Sequence, residues 1–395
     1  MCVSRKKNQF QIKDLDLGLI QRRRPNVRRT IALFALLFAF TGISRSQSGQ
    51  DSASPKLKWI SIPDAQIEID GLPWYAESGD HLSRLPIRLK DSYRKEVWDL
   101  AQSPSGGRIR FRTNSTVLAI RLKYPGPPDM ANMHAFGQTG VDLYIDGIYR
   151  DTAVAGRDTK LGLPEEHVFY ENEPMVVRDI TLYLPLYSPV KVVGIGINAE
   201  AEPQAAKPFA ISKPIVFYGT SITQGASASR PGMSYEGILG RLLNVDFVNL
   251  GFSGNGKGEP AVARTVADID AACFVLDFAQ NNATVESLKT VYGPFVEIIR
   301  SKHPDTPILV MTPIYSSHES WSRDADLDGM RSVIRQVAGH RIANGDRNLE
   351  IVEGTDLIGP SRGDGLVDGV HPNDLGFQWM AEGLANRIAK VLGLR

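Results

Sequence analysis

From Lys213 to the C-terminus the chain alternates short unbroken apolar runs with longer stretches in which apolar residues recur every three or four positions. The runs KPIVFYG (213–219), DFVNLG (246–251), ACFVLDF (272–278), PILVMTPIY (307–315) and LEIVEGTDL (349–357) read as strands buried on both faces. Between and after them, helical spacing is expected over 234–243, 260–269, 285–302, 324–343 and 374–392. In the last of these Leu375, Trp379, Leu384, Ile388 and Val391 form one apolar stripe. Strands separated by helices of this length predict right-handed βαβ units: a three-layer, doubly wound α/β sandwich with about five parallel strands and helices on both faces.

The first half follows a different period. Apolar and polar residues alternate in LKWISI (57–62), QIEIDG (66–71), GRIRFRT (107–113), STVLAIRLKY (115–124), VDLYIDGIY (141–149), RDITLYLPLY (178–187) and VKVVGIGI (190–197), each bounded by turn residues. Period-two segments of this kind predict an antiparallel β-sandwich, with one helix expected over 94–102. The Pro-containing stretch EPQAAKPFAIS (202–212) separates the two patterns. The predicted organisation is a signal segment over 1–46, a β-sandwich domain over 55–205 and an α/β domain over 206–395.

The charge distribution supports the first boundary. Of the chain's 45 Lys and Arg and 44 Asp and Glu, ten basic and two acidic residues fall within 1–46, so the remainder holds 35 basic and 42 acidic residues. A body that acidic, with no basic stripe, argues against nucleic acid as a partner. Arg22, Arg23, Arg24, Arg28 and Arg29 precede the apolar run Ile31–Phe40, and Ser44 and Ser46 follow it. That order matches a secretory signal, and the run is too short to span a bilayer, so export to the periplasm or medium without stable membrane insertion is expected. The cysteines are Cys2 and Cys273. Loss of the signal leaves one, and its setting in ACFVLDF reads as a buried apolar residue rather than a reactive thiol.

Four polar clusters fall at the strand ends of the second domain. Ser221 follows the first strand in YGTSITQG, GFSGNG (251–256) follows the second, Gln280, Asn281 and Asn282 follow the third, and DGVHP (368–372) precedes the last helix. All belong to the rim where open α/β sheets bind ligands. Together they hold what acyl transfer needs. Ser221 offers a hydroxyl that an imidazole must activate, His371 is the candidate base, and Asp368 lies three residues away to orient it. The backbone N–H groups of Ser221 and Gly254 and the side-chain amide of Asn281 are candidate donors to an oxyanion. Each cluster also has a plainer reading: a polar loop, a flexible turn, loop punctuation, or a helix cap beside a surface histidine.

Taken together, these segments resemble the SGNH, or GDSL, hydrolases, whose blocks read close to GDS, NxGxxG, GxND and DxxHP. Here GTS (219–221), NLGFSG (249–254), AQNN (279–282) and DGVHP (368–372) stand in the same order. The departures are Thr220 in place of Asp before the serine, and Ala279 and Asn282 in place of Gly and Asp in the third block. GVDLY (140–144), with RLP (84–86) before it and LYLPLY (182–187) after it, resembles the GxDLY domain that precedes one SGNH subgroup.

The resemblance implies a serine esterase with Ser221, His371 and Asp368 as triad, Ser221, Gly254 and Asn281 as oxyanion hole, and neither cofactor nor metal. A nucleotide loop is the nearest competing motif in GFSGNGKG, but Gly258 stands where its hydroxyl is required. The expected substrate is a small-molecule or polysaccharide O-acyl ester, with O-acetyl carbohydrate first. A lipid ester, or glycan binding without catalysis, are the alternatives. Oligomeric state is not legible in the sequence. N-terminal sequencing of the exported protein is expected to begin close after Ser46; a mature chain that begins at Met1 contradicts the signal.

Overall fold

The computed structural model describes residues 56–79, 81–156, 158–321 and 326–394. The signal expected over 1–46 lies outside them. Among the described residues no helix is long and apolar enough to cross a membrane.

Nine strands build the first half: β1 (Leu57–Ile60), β2 (Glu68–Asp70), β3 (Arg108–Thr113), β4 (Leu118–Lys123), β5 (Val141–Ile145), β6 (Ile148–Ala153), β7 (Glu165–Tyr170), β8 (Arg178–Tyr183) and β9 (Lys191–Asn198). They form two antiparallel sheets, ordered β1-β9-β4-β7 and β2-β3-β8-β5-β6. The alternating apolar positions supply a shared core that includes Ile109, Phe111, Leu118, Ile120, Leu143, Leu182, Ile195 and Ile197.

Two features differ from the pattern-based expectation. VDLYIDGIY is a hairpin rather than one strand, because Asp146 and Gly147 both take positive φ (51° and 79°) and turn the chain back. Strand β7, EEHVFY, has too little apolar contrast to announce itself: it lies at a sheet edge with two of its six residues exposed and none fully buried.

The second half holds five parallel strands, β10 (Ile215–Gly219), β11 (Phe247–Gly251), β12 (Cys273–Asp277), β13 (Ile308–Met311) and β14 (Leu349–Val352), in the order β11-β10-β12-β13-β14. Alternate residues face opposite layers, which fixes what covers each face. Ile215, Phe217, Phe247, Cys273 and Val275 meet helices Tyr235–Leu243 and Asp374–Leu392. Val216, Tyr218, Val248, Leu250, Phe274 and Leu276 meet helices Pro260–Ala267, Val285–Lys302 and Leu327–Ala343. Cys273 is fully buried, and burial pushes its thiol above the usual range.

Strand β11 is a sheet edge, and the first domain closes it. The carbonyls of Phe247, Asn249 and Gly251, two residues apart, all lie on its outer side. Arg84 of the RLP segment is 0% exposed and donates from Nη1 to Asn249 O (3.2 Å) and Gly251 O (2.6 Å). It also donates to Ser103 O (2.8 Å) and Leu100 O (2.9 Å) of its own domain. Arg108 reaches Phe247 O (3.3 Å) and pairs with Asp246. The two guanidiniums stack on Phe252 (4.8 Å) and Phe247 (3.9 Å). Burial pushes the Arg84 guanidinium down to about 9, so it remains charged at neutral pH. An edge capped this way offers no ladder to another chain.

Two carboxyl groups lie inside the α/β domain beneath the rim, Glu236 at 0% and Asp277 at 2% exposure. Burial raises both. Asp277 is pushed up to about 7 against the opposing hydrogen bonds from Thr223 Oγ1 (3.1 Å) and Tyr235 OH (3.3 Å), and Glu236 lies well above the usual carboxylate range.

Arg84→Met strands the buried carbonyls of Ser103, Asn249 and Gly251 and is expected to cost about 3 kcal/mol or more, with Arg84→Lys recovering only part; a urea midpoint equal to that of the native protein contradicts the edge closure. The buried acids give a second expectation. Because their folded values are raised, the native state holds protons that the unfolded chain releases above about pH 4, so stability falls as pH climbs from there. The Asp277 part of that fall ends near its folded value of about 7. Asp277→Asn is expected to lose less melting temperature than the native protein between pH 5 and pH 8; equal losses in both contradict the assignment.

Candidate active site

The site begins where β10 ends. At Gly219 any Cβ would lie 1.8 Å from Thr223 Oγ1 and 2.6 Å from Asp277 O, so only glycine lets the chain turn there. Thr220 is extended, and its hydroxyl accepts the N–H of Ile222 (3.3 Å), capping the single helical turn Ser221–Gln224 that Gly225 closes at φ +95°. Threonine thus serves as the N-cap of that turn. Ser221 is held at the start of that turn, 9% exposed.

Ser221 Oγ lies 2.9 Å from His371 Nε2, and His371 Nδ1 lies 2.8 Å from Asp368 Oδ2. The DGVHP loop makes this possible: Gly369 takes φ +84°, and Asp368 Oδ1 accepts the N–H groups of Val370 (3.1 Å) and His371 (2.9 Å). Burial alone would raise Asp368. It is outweighed by the hydrogen bonds from the His371 backbone N–H, the Asn132 amide and the His371 ring, and the carboxyl lies well below the usual range. A carboxylate held ionised in this way can fix the tautomer that turns an unprotonated Nε2 toward the serine hydroxyl.

Gly254 and Asn281 stand on the loops after β11 and β12, the two strands that flank β10. Gly254 has φ +67° with open space beside it, so its glycine answers to backbone conformation rather than to crowding. Among the described residues no acceptor takes the N–H of Ser221 or Gly254. Asn281 Oδ1 accepts the N–H of Gly256 (3.1 Å), which leaves the amide nitrogen as its unengaged end. Asn282 turns inward instead, its amide donating to Ala279 O (3.3 Å).

The loop carrying Gly254 is pressed onto the turn that carries Ser221. A Cβ at Gly256 would lie 2.1 Å from Gly219 O, and one at Gly251 would lie 2.2 Å from Gln224 N. The Phe252 N–H donates to Gly219 O (3.0 Å), and buried Gln224 accepts the Ser253 N–H (3.0 Å) while donating to Leu186 O (3.1 Å).

The first domain also reaches this rim, at Asn132, which carries no local sequence signal, and at two motif segments. Asn132, on a turn of the first domain, donates to Asp368 Oδ2 at 2.9 Å, and Tyr187 OH donates to Ser221 O at 3.3 Å. The GVDLY motif faces the same place. Asp142, 0% exposed, accepts from Arg230 Nη1 (3.1 Å), the Gly232 N–H (2.8 Å) and Thr152 Oγ1 (2.7 Å), and Arg230 also donates to Tyr144 OH (2.6 Å). Arg230 reads as a surface residue in the sequence; the structure makes it an internal latch between the domains, stacked 3.7 Å from Tyr149. Among the described residues no group of three or more His, Cys, Asp or Glu could hold a metal ion.

Residues 212–389 match the model of the GDSL-like lipase/acylhydrolase family, and residues 57–202 match GxDLY, described as the N-terminus of SGNH-hydrolase-type esterases. A putative GDSL-like lipase from Bacteroides ovatus ATCC 8483 is 31% identical at TM-score 0.77, covering 86% of this chain and 99% of its own. A salicylyl-acyltransferase from a tetracycline biosynthetic pathway is 24% identical at TM-score 0.71, covering 85% and 98%. An acetyl xylan esterase from the rumen bacterium Butyrivibrio proteoclasticus shares the fold at 14% identity and TM-score 0.58, covering 86% and 99%. No curated protein matches the chain. The chain belongs to the SGNH, or GDSL-like lipase/acylhydrolase, family: it is a carboxylic ester hydrolase with an N-terminal GxDLY domain.

Proposed function

We propose that the protein is an exported serine esterase that removes O-acyl groups, acetyl first, from carbohydrate. The observation that carries the chemistry is the hydrogen-bonded line from Ser221 through His371 to Asp368. Ser221 Oγ attacks the ester carbonyl carbon as His371 Nε2 takes its proton, and Asp368 holds and stabilises the imidazolium. The carbonyl oxygen becomes an oxyanion received by the N–H groups of Ser221 and Gly254 and by the Asn281 amide; losing one such donor typically costs about 3 kcal/mol of transition-state stabilisation. Collapse breaks the bond to the alcohol oxygen, which leaves with the proton from His371. Water, activated by the same imidazole, then releases the acyl group as the acid.

The substrate assignment draws on exposure and on the first domain. The His371 and Asp368 side chains are 21% and 34% exposed, so the alcohol side of the site opens to solvent, where a bulky sugar can remain outside while a small acyl group enters. The β-sandwich reaches this rim through Asn132 and offers a surface along which an extended glycan can lie.

On p-nitrophenyl acetate, Ser221→Ala and His371→Ala are each expected to lower kcat by roughly 10⁴- to 10⁶-fold, and Asp368→Asn by less, because it orients without bonding to substrate. Undiminished turnover in Ser221→Ala overturns the nucleophile assignment. Across acetyl, butyryl and octanoyl esters kcat/KM should fall, and acetate should be released from acetylated polysaccharides. A preference for octanoyl esters would favour the lipid reading.

A further inference from the structure

Asp368 accepts four hydrogen bonds, and three come from within its own loop: the N–H groups of Val370 and His371 and the His371 ring. The fourth, from Asn132 Nδ2 to Oδ2 at 2.9 Å, comes from the first domain and shares the oxygen that faces the imidazole. A carboxylate only accepts, so the amide must present its nitrogen there. Two donors converging on one oxygen fix the rotation of the carboxyl group about its Cβ–Cγ bond, and that rotation sets the plane in which the imidazole is held.

The turn that carries Asn132 is built to be immobile. Gln138, 3% exposed, accepts the N–H groups of Asp129 and Met130 (both 2.9 Å) and donates to Met130 O (3.1 Å) and Met133 O (2.6 Å), stapling the turn from inside. Met133 packs into the α/β core. Ser227, just past the nucleophile turn, donates to Asn132 O at 2.8 Å. A Cβ at Gly137 would lie 2.3 Å from Ala228 O, so the short helix Ala135–Thr139 lies directly on the backbone that leaves that turn. One rigid piece of the β-sandwich domain therefore touches both the segment that follows the nucleophile and the carboxylate of the base.

We propose that Asn132 is a positioning residue of the hydrolytic site, and that the GxDLY domain is through it a working part of that site rather than an appended module. The proposal rests on Asp368 being the triad carboxylate. Removal of the donor frees the carboxylate to rotate; replacement by a carboxylate sets a repelling charge against the same oxygen.

The test is the steady-state kinetics of Asn132→Ala and Asn132→Asp on p-nitrophenyl acetate from pH 6 to pH 8, in full-length protein whose thermal melting confirms folding, with Asp368→Asn alongside. At pH 8, kcat is expected to fall about 10-fold in Asn132→Ala and about 100-fold in Asn132→Asp, with KM little changed. The ratio of Asn132→Asp to native kcat/KM is expected to rise as pH falls, because a proton shared between two adjacent carboxyls restores a donor. A merely structural role gives the reverse order, since Asp is the isosteric replacement, and a ratio flat across pH. Either result, with Asp368→Asn still strongly impaired, overturns the proposal alone; an unimpaired Asp368→Asn overturns the triad reading and the proposal with it. The downfield proton resonance of His371 Nδ1–H gives a readout independent of turnover. It is expected to shift in Asn132→Ala, and an unmoved resonance counts against the proposal.

Discussion

The open edge of a five-stranded parallel sheet sets the central constraint on this molecule. A doubly wound sheet buries its faces under helices but leaves two rows of unpaired backbone groups, and the row on β11 leads directly into the loop that carries Gly254. Water could satisfy those carbonyls, but it would also let the strand end fray. Here two guanidiniums do the work instead, with Arg84 spanning both Asn249 O and Gly251 O. The planar fork suits the task, because one charged group meets several carbonyls and stacks on an aromatic ring at once. Desolvating the Arg84 cation is costly, and its carbonyl partners in both domains offset that cost. The β-sandwich is therefore not separable from the α/β domain without exposing both the cation and the edge.

What the edge fixes, the turn that carries Ser221 uses. Gly251 ends β11, and its carbonyl is held by Arg84 while its α-carbon lies against the backbone of Gln224, one turn after Ser221. Gly256 closes over Gly219 O from the far side of the same loop. These contacts leave no room for side chains. The separation between the Ser221 and Gly254 amides is thus set by backbone packing rather than by flexible side chains; for the oxyanion hole proposed above that matters, because preorganised dipoles stabilise developing charge more effectively than groups that must first reorient.

Much of this was legible in the chain itself, and the reason is local. Buried parallel strands such as IVFYG and CFVLD are unbroken apolar runs, and Ser221 and Asn281 follow them within a few residues, while Asp368 and His371 stand just before the last helix. Ser221, Asp368 and His371 stand out once the strand ends and the motif order are compared, and the structure brings the three within hydrogen-bond distance. The β-sandwich was less transparent because its information is pairwise: β7 is a strand by virtue of its partner β4, and Asp146-Gly147 is a turn whose meaning depends on both flanks. Arg84 and Arg230 show the limit most clearly. Arg84 is legible only as part of the RLP motif and Arg230 reads as a solvated surface charge, and only the approach of the second domain turns one into an edge cap and the other into a latch on Asp142.

The GxDLY motif takes its physical meaning from that latch. Asp142 is buried with no exposure, and burial raises its carboxyl against the bonds from Thr152, Gly232 and Arg230. An acid in such a setting is tolerable only if donors are delivered to it, and two of its three come from the segment 230–232 that follows the Ser221 turn. The motif aspartate thus depends on the α/β domain for its satisfaction, while β11 of the α/β domain depends on Arg84 for its own. Each domain holds buried polar groups that the other completes, so loss of one leaves the partner with unpaired charge or carbonyls in an apolar setting. Reciprocal dependence of this kind holds the two halves in one register, and one register is what a carboxylate touched from both domains requires.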